Sequence, residues 1–184
     1  MTYYGGKELA AAFRTVRKNT IRIADEIPEN KYDFKASPDT RSIKDTLVHI
    51  ALATTIPSHV HRNRIDDVKQ LNFLELLQTN NAEAAKPRTK NDVIALLKSS
   101  GEDFASYMEG LTDAFLAERV TMMPGAEPPV RTRFDMLLAA KEHEMHHRGQ
   151  LMLLERMIGI VPHLTREFEE RLARAQAAQP QAQR

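Results

Sequence analysis

Cysteine is absent from the chain. Its absence excludes disulfides, thiolate zinc sites and cysteine nucleophiles, and it fits a reducing compartment. Also missing is any apolar run approaching the ~20 residues that a membrane-spanning helix needs. The opening stretch, Met1-Thr2-Tyr3-Tyr4-Gly5-Gly6-Lys7, lacks the apolar centre of a signal peptide. The expectation is a cytoplasmic protein without a membrane partner. Neither sign of charge prevails: 26 Lys and Arg face 25 Asp and Glu, a formal net charge of +1. So balanced a chain offers no basic stripe, and no nucleic-acid partner is expected. Internal repeats are missing too, as is any strand pattern beyond one short hairpin.

What is there is 184 residues, the size of about one domain. Apolar residues recur with a helical period in four segments. The first carries Leu9, Phe13, Val16, Thr20, Ile23 and Ile27 at steps of four and three and stops at Pro28. Its other face, with Arg14, Arg17, Lys18 and Arg22, reads as solvated surface. After a loop to Arg41, Ser42 with Asp45 three residues on resembles a capping box. Leu47-Val48-His49-Ile50-Ala51-Leu52-Ala53 then reads as a central helix, apolar on every side but for His49 and kinked or ended by Pro57 at about Ile56. His59 and His61, set among charged residues, read as solvated.

A long connection from Ile65 to Lys90 holds only a short apolar patch, Leu71 to Leu77, worth a turn or two of helix. Its length predicts a crossover, so that the second and third helices are not simple antiparallel neighbours. The third helix opens near Thr89 to Asp92 and aligns Val93, Leu97, Phe104, Met108, Leu111 and Phe115. Val120-Thr121-Met122 and Val130-Arg131-Thr132, separated by Pro124-Gly125 and Pro128-Pro129, predict the hairpin. Thr132 and Asp135 repeat the capping pattern, and the fourth helix runs to Gly159. The class is all-α, most simply a four-helix bundle over residues 1–165. A short helix from Thr165 to about Ala175 and a Gln/Ala tail expected to be disordered make up 166–184.

Three of the seven histidines crowd into Lys141-Glu142-His143-Glu144-Met145-His146-His147-Arg148-Gly149-Gln150-Leu151. His143 and His147, four apart, share one helical face with Met136, Ala140, Leu151 and Leu154. A buried imidazole needs a partner for each ring nitrogen, and two stacked a turn apart have few ways to be satisfied without water: hydrogen bonds from the core are one, and a metal ion, favoured here, is another. His49, the polar residue in an apolar helix, becomes the natural third ligand. Three imidazoles with open positions left over form the catalytic rather than the structural metal pattern. Zinc, nickel, iron or copper all suit such ligands. Glu144 and Gln150 lie at the margins of the stripe, Glu144 as the candidate general base, while His146 points about 100° away.

The string His143-Glu144-Met145-His146-His147 also matches the H-E-x-x-H of zinc proteases. The extended form of that motif would want Gly at 150 and His at 153, where the chain has Gln150 and Leu153. Glu167 would have to serve as third ligand.

Taken together, Ser37-Pro38-Asp39-Thr40-Arg41-Ser42 leading to His49, then His143-x-x-x-His147-Arg148-Gly149-Gln150-Leu151 and Gly159-x-x-Pro162, resemble the DinB family. The resemblance spans roughly Leu9 to Pro162. It implies a four-helix bundle with a long crossover, a divalent metal (zinc, nickel or iron) at His49, His143 and His147, and a homodimer. Relatives of this kind transfer low-molecular-weight thiols such as bacillithiol, or use mycothiol in isomerisation. The implied function is metal activation of a low-molecular-weight thiol, or of water, for attack on an electrophilic small molecule. The competing expectation is a metal-stabilised helical binding module without turnover.

Overall fold

The computed structural model describes residues 4–178. Eight α-helices and one two-stranded hairpin follow one another in the order α1 (Gly6–Glu26), α2 (Ile43–Leu52), α3 (Thr55–Arg62), α4 (Phe73–Ala84), α5 (Lys90–Glu109), α6 (Asp113–Ala117), β1 (Arg119–Thr121), β2 (Val130–Thr132), α7 (Arg133–Met157) and α8 (His163–Ala177). The chain is all-α apart from that hairpin, whose strands pair antiparallel with Val120 opposite Arg131.

Local chemistry fixes most of the helix ends. Ser42 Oγ accepts from Asp45 N at 3.0 Å, and Ser42 N donates back to the Asp45 carboxylate at 3.4 Å. Thr89 and Asp92 form the same reciprocal pair at the start of α5. The Thr132 hydroxyl caps α7 through Asp135 N at 3.1 Å. At the other end of α7, Gly159 takes φ +86°, with Gly159 N donating to Arg156 O and Ile160 N to Glu155 O. This is a left-handed glycine cap, open to Gly without a Cβ penalty.

Four long elements enclose the core: α1 packs on α5 and α7, and α2 packs on the same two helices. One apolar cluster gathers Ile23, Ile27, Ile43, Leu47, Leu97 and Leu151, and a second gathers Leu9, Phe13, Phe104, Met108 and Leu137. The N-termini of α2 and α5 lie at the same end of the molecule. Ile43 N bonds Phe34 O just beyond α1, while Lys90 reaches back to Glu29 and to the carbonyl of Ile27. Two helices that start at one end run the same way, so the chain between them must return along the molecule. The segment from Thr55 to Thr89 does so, as the length of that connection predicted.

Several expectations are corrected. The second helix ends at Leu52, not Ile56, because a helical Pro57 would drive its ring into the carbonyl four residues back, at Ala53. Pro57 falls instead in the first turn of α3, where no intrahelical donor is needed. From Phe73 on, the patch at 71–77 belongs to a 12-residue helix, α4, longer than the one or two turns expected, while Leu71 precedes it. The third helix stops at Glu109, leaving Phe115 to α6.

Two side chains read as solvated are buried. His61 is 1 % exposed, with its Nδ1 facing the guanidinium of Arg133 at 3.4 Å. Arg17 is 3 % exposed. In the tail expected from Gln176 onward, α8 continues to Ala177, and residues 179–184 lie outside the described residues. Among the described residues no helix is long and apolar enough to cross a membrane.

Candidate metal centre

His49 projects from the last turn of α2, and His143 and His147 from consecutive turns of α7. The packing of α2 on α7 brings the three together. His143 Nε2 lies 3.2 Å from His49 Nε2 and 3.2 Å from His147 Nε2. Each of the three offers one ring nitrogen within 4.8 Å of the others, a group that could hold a metal ion.

The protonation pattern decides what this convergence wants. His147 Nδ1 lies 2.7 Å from Gln150 Oε1, an acceptor, so Nδ1 carries the proton and Nε2 presents a bare lone pair. That lone pair faces His143 Nε2, which is also the neighbour of His49 Nε2. At most one N–H can satisfy such a trio, and His143 Nδ1 is itself buried without a partner among the described residues. Burial, with the nearby Arg41 charge and the neighbouring imidazoles adding to it, pushes His49 down to about 4. His143 and His147 are lowered as well, chiefly by burial. All three are therefore neutral near pH 7, the ligating form.

Spacing fits as well as charge. Two nitrogens bound at 2.0–2.1 Å to one tetrahedral ion stand about 3.3 Å apart. Gln150, expected at the margin of the stripe, fixes the His147 tautomer as outer groups in metal sites do. His146 is exposed and meets only Gln150 Nε2, at 3.2 Å, and the His147 ring.

Glu144 departs from the role expected of it. It is 2 % exposed, and Arg17 Nε donates to both of its oxygens at 3.0 Å. Thr20 Oγ1 donates to Oε1 at 2.7 Å. A carboxylate so committed has no lone pair turned to a substrate, so the general-base assignment is replaced by a buried ion pair. Arg17 also donates to Leu97 O (2.7 Å), Ser100 Oγ (3.0 Å) and Ile50 O (3.3 Å), so one guanidinium fastens α1 to α2, α5 and α7. The room for it comes from Gly101, where a Cβ would lie 2.7 Å from Arg17 Cγ. The pair was legible in part: Glu144 stands seven residues from both Leu137 and Leu151, in line with the buried side of α7.

Glu167 is on α8, half-exposed and ion-paired to Arg22, and is not a member of the histidine group. The protease arrangement thus lacks both its base and its third ligand.

Two cavities adjoin the centre. One, of about 580 Å³, is walled by His49, His143, Val48, Leu52 and Ile56, with Leu77, Asn80 and Asn81 of α4 across from them. The other, of about 590 Å³, includes Gln150, Thr46 and Leu153. Arg41 borders both. The crossover had signalled α4 through its length and its short apolar patch, and Arg41 entered the sequence reading only as part of a motif.

A family profile described as the DinB superfamily matches residues 12–151. The chain belongs to the DinB superfamily. A DinB relative, the uncharacterized protein YjoA of Bacillus subtilis (strain 168), is 24 % identical over 152 residues, covering 83 % of this chain and 90 % of the relative. The crystal structure of the DinB-like protein YjoA from Bacillus subtilis superposes with a TM-score of 0.62 at 22 % identity. It covers 83 % of this chain and 92 % of that one, so the DinB fold is shared along nearly its whole length.

Proposed function

We propose that the chain is a DinB-type enzyme that depends on a divalent metal held by His49, His143 and His147, and that it transfers a low-molecular-weight thiol, or water, to an electrophilic small molecule. The observation that carries this reading is the meeting of three neutral imidazoles, His143 Nε2 standing 3.2 Å from the Nε2 of each of the other two, with too few protons to satisfy them. When bound, a divalent ion supplies Lewis-acid chemistry, lowering the pKa of a thiol or water and polarising a substrate oxygen. The chain's own residues do the rest. Gln150 holds the His147 ring in the ligating tautomer. Val48, Leu52, Ile56 and Leu77 give the adjoining cavity apolar walls that receive the body of a small molecule and thin out competing water.

The absence of cysteine supports the cytoplasm as its compartment. A second copy of the chain is the proposed macromolecular partner, supported by exposed Leu153, Met157, Val161, Phe168 and Leu172.

Protein purified without a histidine tag should carry about one divalent ion per chain by elemental analysis, as three imidazole ligands with open positions require. His49→Ala should lose it. The metal-loaded wild type should then turn over in a screen of small thiols against electrophilic acceptors. Retention of full metal content by His49→Ala would remove the three-histidine assignment.

A second reading is favoured by the origin of the ligands on two helices, α2 and α7: the ion would staple them in a binding module without turnover.

A further inference from the structure

We propose that Arg41 is the anion-binding residue of this centre, so that the molecule it accepts is a small organic anion with an apolar body, its charged group received by the guanidinium. The inference rests on the metal reading above and narrows it to a substrate class.

Arg41 immediately precedes Ser42, the cap of α2, so it is anchored at a fixed helix end while its side chain remains exposed. The cavity lined by His49 and His143 and the one lined by Gln150 both have it in their walls. No hydrogen-bond or ion-pair partner for it occurs among the described residues.

Charge balance gives the sign of the ligand. Three neutral imidazoles cancel none of a divalent ion's charge. Asp45, the carboxylate in the wall of the cavity of about 580 Å³, is turned back to its own helix start, where Ser42 N donates to it at 3.4 Å, and Asp39, in the wall of the other, accepts from Ser37 Oγ. A loaded centre with Arg41 beside it is therefore strongly cationic, and a thiolate alone does not neutralise it. A carboxylate or similar group on the incoming molecule offsets the Arg41 charge as well, and a guanidinium fork suits it. The cavity of about 580 Å³ has room for such a molecule, its apolar part against Val48, Leu52 and Leu77.

The test uses Co(II)-loaded protein, read by its visible absorption, titrated with 3-mercaptopropionate and with 3-mercaptopropan-1-ol, two thiols alike in size and different in charge. Arg41→Gln should weaken the anionic thiol about tenfold while moving the neutral one by less than about twofold. Arg41→Lys should recover part of the difference. Equal effects of Arg41→Gln on both thiols, or none on either, would overturn the proposal. Co(II) uptake is scored separately in wild type, Arg41→Gln and His49→Ala. Failure of the wild type to take up Co(II), or undiminished uptake by His49→Ala, brings down the metal reading and the Arg41 proposal with it. Normal uptake without charge discrimination brings down the Arg41 proposal alone.

Discussion

Glu155 is wholly buried near the end of α7, and neither of its carboxylate oxygens has a hydrogen-bond partner among the described residues. Burial, with the Glu26 charge adding to it, raises this carboxyl from an ordinary 4.5 to about 7. The folded state then holds a proton that the unfolded state releases above pH 4.5. Its contribution is fully present below that pH and is lost as pH rises through about 7. Across this window the loss is on the order of 3 kcal/mol. Glu155→Gln, which cannot ionise, should flatten the fall. In urea unfolding at pH 8 the variant should be more stable than the wild type, and at pH 4 the advantage should vanish. Parallel pH profiles for the two proteins would show that the carboxyl does not titrate in the fold. By sequence alone, nothing sets Glu155 apart from other charges near a helix end. What a burial pattern conveys is which face turns inward, not whether a polar side chain there finds a partner.

At the scale of the helices, the buried Arg17–Glu144 pair lies between the two apolar clusters and touches α1, α2, α5 and α7. Arg17→Met should cost about 3–5 kcal/mol, because it strands a buried carboxylate. Adding Glu144→Leu should return most of that loss, since an apolar pair of similar volume removes the desolvation penalty along with the attraction. Denaturant midpoints of the two singles and the double measure the coupling; a double variant no more stable than Arg17→Met alone would contradict it. The contrast with what was readable beforehand is physical. Capping by Ser42, Thr89 and Thr132, the hairpin, the glycine stop at Gly159 and the inward turn of His143 and His147 are decided within a few residues of chain, where sequence spacing is spatial spacing. The burial of Arg17 and His61 depends on partners 127 and 72 positions away, Glu144 and Arg133, which no local pattern encodes. The end of α2 failed for a smaller reason: a proline restricts the residues before it, so the break precedes Pro57 by several positions.

For the molecule as a whole, the proposed ion would be needed either to hold the fold or only to do chemistry in it. One apolar cluster joins α2 and α7 to α1 and α5, the second joins α7 to α1, α5 and α6, and the Arg17 crosslink ties α1 to both α2 and α7, all without any ion. The metal-free protein should therefore keep its helical circular dichroism after treatment with a chelator. A ligand that binds only the folded state, present at about a hundred times its Kd, adds about 2.7 kcal/mol, which for a chain of this size raises the melting temperature by about 5–10 °C. His49→Ala should melt near the metal-free wild type and gain little from added zinc or nickel. Collapse of the helical signal on chelation would instead mean that the ion supplies folding energy, as the stapled-module reading requires. A modest, saturable shift on an already folded chain leaves the ion's open positions free for substrate, which is the condition for catalysis at this centre.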